Sequence, residues 1–188
     1  MSMIDDLMGQ LQGGGISEIS RQLGIDESKV SQVVAGAIPA MVTGLAKNSA
    51  TSSGQNALAS ALDRDHNGSV LDDVVGFLGS GAGGGIGAGI LGHVLGNRQG
   101  SVNQALGGAS GLDAGSVQQI LAMLAPLVMG YLGKTSRSKG LDGAGLGAML
   151  GAERQQASRT APDAMGMLGK LLDADESAEV TERLDDVY

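Results

Sequence analysis

The feature that most constrains this chain is a segment that occurs twice, at an offset of 87 residues. Residues 24–47 read GIDESKVSQVVAGAIPAMVTGLAK, and residues 111–134 read GLDAGSVQQILAMLAPLVMGYLGK. Eight of the 24 aligned positions are identical, including a glycine, an aspartate and a proline. Because such residues rarely coincide in register, the match indicates an internal duplication. We therefore expect two similar units that pack against each other.

Each copy has the apolar periodicity of an amphipathic helix. In the first copy, apolar residues recur with the spacing i, i+3, i+4, i+7 that places them on one helix face. These residues are Val30, Val33, Val34, Ala37, Ile38, Met41, Val42 and Leu45. The pattern predicts a long helix whose apolar face contacts the other unit.

The ends of these helices also carry signals. Asp26 and Asp113 stand where an N-cap carboxylate accepts amides of the first helical turn. Gly24 and Gly111 precede them and suit the left-handed residue that ends a preceding helix. A proline lies inside each pattern, at positions 39 and 126, and is expected to kink the helix. Each unit is thus predicted to be a short helix, a tight turn and a longer kinked helix.

Composition limits both the core and the chemistry. The chain has 188 residues with 33 glycines, but only two tyrosines and one phenylalanine as aromatics, so its core must be aliphatic. A formal charge of -8 argues against nucleic-acid binding, which depends on clustered Lys and Arg. The absence of cysteine excludes disulfides and thiolate chemistry. The acidic start MSMIDDL does not resemble an export signal, so we expect a cytoplasmic protein.

A glycine-rich stretch separates the two copies. Residues 74–97 contain ten glycines and no formally charged residue. A membrane span is one interpretation, but glycine weakens the hydropathy and no basic flank is present. A second is a helix in which Gly79, Gly83 and Gly87 allow close helix contact. We favour the third, a flexible linker that continues a helix after Asp73 and resumes one near Ile90.

The acidic stretch LDRDHNGSVLDD that follows the first copy has a fainter counterpart in the tail. Residues 172–187 read LDADESAEVTERLDDV, so the copied unit could include the acidic loop. We expect a first helical unit with its acidic loop at residues 1–75, a connector at 76–97 and a second unit at 98–134. Residues 135–158 are then a low-complexity insertion, and residues 159–188 form an acidic C-terminal helix or tail.

The repeated helical unit, the glycine-rich spacer and the LDRDHNGSVLDDV loop together resemble the bacterial YidB-like family, also called domain of unknown function 937. The resemblance covers most of residues 1–134. It implies an all-helical fold with a homeodomain-like arrangement. It supplies no assigned activity and no catalytic residues.

The acidic loop is a candidate calcium site. In a 12-residue calcium loop, positions 1, 3 and 5 are oxygen ligands, position 6 is glycine and position 12 is a bidentate acid. Asp63, Asp65 and Asn67 fit the first three positions, and a glycine follows. Position 12, however, is Val74, so a shortened loop would need Asp73 as the closing ligand.

The same residues have a simpler explanation without an ion. Ser69 and Asp72 fit a capping box for a helix that starts near Val70. Asn67 and Gly68 form a turn signal by themselves. Asp63 and Asp65 are then solvated acids in a loop.

Segment 16–34, ISEISRQLGIDESKVSQVV, has the spacing of a helix-turn-helix. Residues 16–47 balance three basic residues with three acids, so structural helix packing is favoured over DNA binding. The two histidines, His66 and His93, have no partners that indicate catalysis.

We therefore expect an all-α, non-enzymatic bacterial protein, without a cofactor, that acts as a structural or protein-interaction module through a protein partner or self-association. A calcium-responsive module is the alternative and weak DNA binding the third possibility.

Overall fold

A computed structural model describes residues 2–65, 69–81 and 83–160, and every regular element in these ranges is helical. The helices in chain order are α1 (Met3–Gln10), α2 (Ile16–Leu23), α3 (Glu27–Asn48), α4 (Ser52–Asp65), α5 (Val74–Gly79), α6 (Gly83–Val94), α7 (Gln99–Ser110), α8 (Ala114–Lys139) and α9 (Gly143–Thr160). A π-helical turn at Leu11–Gly15 joins α1 to α2, and 3-10 turns lie at Ser69–Leu71 and Gly96–Arg98. The all-helical prediction is confirmed for these ranges.

The core is centred on the two long helices α3 and α8. All eight apolar residues of the predicted α3 stripe are buried. The buried face of α8 contributes Val117, Ile120, Leu121, Leu124, Leu127, Val128 and Leu132. The predicted contact face of the first copy is therefore the centre of the core.

The two copies begin with the same local geometry. Gly24 ends α2 at φ 64° and Gly111 ends α7 at φ 68°, both in the left-handed conformation. Beyond each glycine, a backbone amide bonds back across the helix end at 3.1 Å, from Ile25 to the Ser20 carbonyl and from Leu112 to the Gly107 carbonyl. The donor and the acceptor of the second bond each lie 87 residues after those of the first, which is the offset of the sequence repeat. The predicted helix, tight turn and longer helix are present in both copies.

The two N-caps differ. The Asp113 carboxylate accepts the Ser116 amide at 2.9 Å and the Ser116 hydroxyl at 2.6 Å, which lowers the pKa of Asp113. Asp26 precedes α3 at the equivalent position but makes no side-chain cap hydrogen bond. The predicted carboxylate cap thus forms only in the second copy. Both long helices continue through their prolines, Pro39 and Pro126.

The prediction of a flexible linker between the copies is wrong for residues 83–89, because helix α6 already begins at Gly83, whereas the helices predicted after Asp73 and near Ile90 are present in α5 and α6. Leu91 is fully buried, and α6 packs along α8. Of the three spaced glycines in the close-contact interpretation, Gly87 explains this packing. A Cβ atom at Gly87 would overlap the backbone carbonyl of Ala122, so only glycine lets the two helices approach this closely.

Residues 135–158, predicted as a low-complexity insertion, continue α8 to Lys139 and then form most of α9. Leu146 and Leu150 on α9 are fully buried. α9 packs against α3 and α4, with Gly143 against the backbone of Gln55. This segment is therefore an integral part of the core. The predicted acidic tail lies outside the described residues from position 161 onward.

A tyrosine ties the first helix to the core. The Tyr131 hydroxyl donates to the Asp6 carboxylate at 2.7 Å across 125 residues of sequence. Burial, followed by the hydrogen bond and charge of Asp6, raises the pKa of Tyr131 to about 12. The neutral phenol is therefore the form that the folded state favours.

Within the described part of the chain, two helices are long and apolar enough to span a membrane when length and composition alone are considered. They are α3 and α8, and 61% and 72% of their most apolar windows are buried inside the structure. Core helices of water-soluble proteins pass the same test, so this finding favours neither a membrane location nor an aqueous one.

Replacing Gly87 by alanine should lower the free energy of unfolding by about 1–3 kcal/mol, because the methyl group forces α6 away from α8. The matched control is Gly92→Ala on the same helix, where a Cβ meets nothing within 4 Å. That control should raise stability by about 0.4–1 kcal/mol, since alanine restricts the unfolded chain. Urea denaturation measures both, and equal effects of the two substitutions would contradict the close contact.

The Tyr131 pKa predicts a loss of stability in alkali. Because the folded-state pKa lies above the unfolded value of 10, the contribution is complete below pH 10 and disappears as pH rises towards 12. Tyr131→Phe should lower stability by about 1 kcal/mol near pH 7, through loss of the Asp6 hydrogen bond. Urea denaturation at several pH values should show that this difference shrinks above pH 10. A difference that stays constant would contradict the assignment.

Candidate functional site

An open, mostly apolar groove of about 910 Å³ lies between α4 and α6. Helix α4 forms one wall, α6 forms the other, and buried residues of α3 and α8 lie at the bottom. The apolar lining consists of Leu45, Ala57, Leu58, Ala61, Ile86, Ile90, Val94 and Met129. The groove is large enough for several side chains of a ligand.

Small residues keep the groove open. Ala57 and Ala61 on α4 face the groove together with Gly89 on α6, and a Cβ at Gly89 would meet nothing within 4 Å. Ile86 at the edge is 57% exposed, the larger of two such values among the large apolar residues of the described ranges. The other, Val75 on α5, is 44% exposed and is not among the groove residues. An exposed isoleucine beside an unfilled apolar groove marks a surface suited to a ligand.

Among the described residues, the polar edge of the groove comprises Asn48, Thr51, Ser53 and His93. This described lining contains no carboxylate, Lys or Arg. The Asn48 amide donates to the His93 carbonyl at 2.7 Å and so ties the end of α3 to the end of α6. The Thr51 hydroxyl accepts the Gly54 amide at 3.2 Å at the start of α4. These bonds hold the ends of both walls in place, so the groove is preformed.

The residues of the predicted calcium loop are only partly described. Asp63 is exposed in the last turn of α4, and α4 ends at Asp65, whose side chain lies outside the described residues, as does all of Asn67. The Asp73 carboxylate accepts the Gly76 amide at 2.8 Å as the N-cap of α5. Among the side chains that the structure describes, no three His, Cys, Asp or Glu residues come together as a metal site. The calcium hypothesis stays a prediction.

The predicted cap at Ser69 is corrected by the structure. Residues Ser69–Leu71 form a 3-10 turn closed by the Asp72 amide and the Ser69 carbonyl at 3.1 Å. The α-helix begins later, at Val74, and its cap is Asp73. The Asp73 carboxylate, which accepts the Gly76 amide in the first turn of α5, thus has the capping role that the pattern assigned to Ser69.

The segment predicted to resemble a helix-turn-helix consists of α2 and the first two turns of α3. Arg21 on α2 contacts both oxygens of the buried Glu18 at 2.7 Å, and this pairing raises the pKa of Arg21. One of the three basic residues counted for residues 16–47 is therefore paired with an acid of its own helix. DNA binding stays an untested prediction.

The groove was missed by sequence reasoning because its walls come from residues 53–61 and 86–94, which have no pattern in common. The only sequence signal was the run of small residues on each wall. Such runs are also typical of flexible connectors.

Comparison with known proteins gives one match. The sequence model of a family described as "Bacterial protein of unknown function (DUF937)" matches residues 5–135. No curated protein and no solved structure matches the chain. The matched range covers more than half of the 188 residues and includes α3, α6, α7 and most of α8. The chain therefore belongs to DUF937, a family of bacterial proteins of unknown function.

Proposed function

We propose that this protein is a non-enzymatic, cytoplasmic protein-interaction module whose α4–α6 groove binds an amphipathic helix of a partner protein. The single observation that carries the proposal is the open apolar groove beside the exposed Ile86. Helix-in-groove recognition uses an apolar floor, two helical walls and a neutral or polar edge. The α4–α6 groove combines these features.

The chemistry of the groove supports a particular kind of partner. Glycine and alanine on the walls leave room for bulky side chains, so a helix with a Leu, Ile or Met stripe fits best. The described lining of the groove contains no carboxylate, Lys or Arg, whereas the whole chain carries a formal charge of -8. A partner whose polar face bears Lys or Arg is therefore attracted over a longer range without placing charge in the groove.

We further propose that the two helical units arose by duplication. Support comes from the left-handed glycines at 24 and 111 and from the matching backbone bonds after them. We also propose that the helices have the homeodomain-like arrangement that the resemblance to this family implies.

The groove is tested with a defined probe, a synthetic amphipathic helical peptide with a leucine stripe and lysines on the other face. The wild-type chain should bind it saturably in isothermal titration calorimetry. Ile86→Glu should weaken binding at least about tenfold, because a carboxylate would be desolvated against the apolar stripe. The folded protein itself should keep its stability, since Ile86 is 57% exposed.

Val75→Glu is the matched control, because it introduces the same charge at the other exposed apolar residue, outside the groove. It should leave peptide binding unchanged. Equal weakening by both variants would mean that binding does not depend on the groove, and the proposal would fail. Concentration-dependent dimerisation that only Ile86→Glu abolishes would assign the groove to a second copy of this chain.

A further inference from the structure

A second cleft, of about 570 Å³, lies where α3 ends, α4 begins and α9 passes beside them. Residues 46–50 and Gln55 form one side, and Gly147, Gly151 and Arg154 of α9 form the other. Arg98, from the 3-10 turn before α7, completes the lining. Asn48 is the one residue it shares with the apolar groove, so the two are neighbouring but separate features.

The cleft has a charge opposite to that of the protein. Among the residues that the structure describes, its lining contains three cations, Lys47, Arg98 and Arg154, and no carboxylate. Acidic residues outnumber basic residues in this chain by 20 to 12, so these cations give the cleft a local excess of positive charge. Glu153, the neighbour of Arg154, is not among the described lining residues. Low-dielectric walls around clustered cations concentrate anions.

The neutral polar side chains of the cleft are already used within the protein. The Gln55 amide donates to the Ser49 carbonyl at 3.0 Å, and the Ser49 hydroxyl donates to the Ala46 carbonyl at 3.2 Å. The Asn48 amide donates to the His93 carbonyl. The chemistry that would recognise an anion is therefore carried by the guanidinium groups of Arg98 and Arg154.

Two backbone features add to this. The 14-residue helix α4 begins at Ser52, next to the cleft, and the positive end of its dipole favours an anion there. On the opposite side, a Cβ at Gly151 would meet nothing within 4 Å, so α9 leaves open space for a ligand. At Gly147 a Cβ would lie 3.1 Å from the Ser49 carbonyl, and the glycine allows α9 to form the wall at close range.

We propose that this cleft binds the phosphate or diphosphate group of a phosphorylated small molecule. Guanidinium groups bind tetrahedral oxyanions through paired, charge-assisted hydrogen bonds, and Arg98 and Arg154 supply two of them. A volume of about 570 Å³ exceeds that of a single phosphate and leaves room for an attached organic group. The site is independent of the peptide groove in both chemistry and position.

The test titrates the full chain with inorganic pyrophosphate at constant ionic strength, by calorimetry and by amide chemical-shift mapping. Saturable binding should shift the amides of Ser49 and Gly151. The double variant R98Q/R154Q should weaken binding at least about tenfold, because two charge-assisted contacts are lost. Arg159→Gln, an exposed arginine on the same helix outside the cleft, should leave binding unchanged.

Gly151→Leu provides a test that does not change charge. The side chain should fill the open space of the cleft and weaken pyrophosphate binding, while the circular dichroism spectrum stays that of the folded helical protein. The proposal is overturned if the wild-type chain shows no saturable binding or if Arg159→Gln weakens it as much as R98Q/R154Q does. Tighter binding of citrate than of pyrophosphate would assign the cleft to polycarboxylates and overturn the phosphate assignment.

Discussion

Close approach of helix backbones is the constraint on which this structure depends. With three aromatic residues in 188, the core is filled by aliphatic side chains, each of which buries less area than an aromatic ring. Shorter distances between helices compensate by increasing the number of dispersion contacts. Gly87 lets α6 reach the Ala122 carbonyl on α8, and a Cβ at Gly44 on α3 would lie 2.6 Å from the Val94 carbonyl. Helix α6 is thus held against both central helices at positions that only glycine can occupy.

The same constraint creates the two candidate binding features. Since α6 is fixed by α3 and α8, it cannot close onto α4, and small residues on both facing walls leave the apolar groove open. At the start of α4, a Cβ at Gly54 would overlap the Asn48 carbonyl, so α4 begins in direct contact with the end of α3. That junction forms one side of the basic cleft. Glycine therefore determines both where the helices touch and where they leave space.

Local sequence signals predicted the local parts of this fold. The apolar stripe on α3 and the glycines at 24 and 111 depend on neighbours within a few residues, and the structure confirms them. Gly87 was treated as part of a linker because nothing near it in sequence identifies Ala122 as its partner. The link from Tyr131 to Asp6 and the grouping of Arg98 with Arg154 also depend on distant chain segments. Such contacts follow from tertiary packing, and the periodicity of one segment does not predict which distant segment packs against it.

The acidic loop illustrates competition between two local explanations. Ligand spacing pointed to calcium, while the carboxylate of Asp73 serves as the cap of α5. The Asp73 carboxylate accepts the Gly76 amide through one oxygen, so an ion bound there would share the group with the helix cap.

Hydrogen exchange of the α6 amides tests the central claim most directly. If the glycine-rich segment is a packed helix, the amides of Gly87 and Ala88 should exchange at least about a hundredfold more slowly than in an unstructured chain, because exchange requires that α6 open from α8. Exchange of these amides at the rate of an unstructured chain would show that the segment is a linker, and would contradict the account.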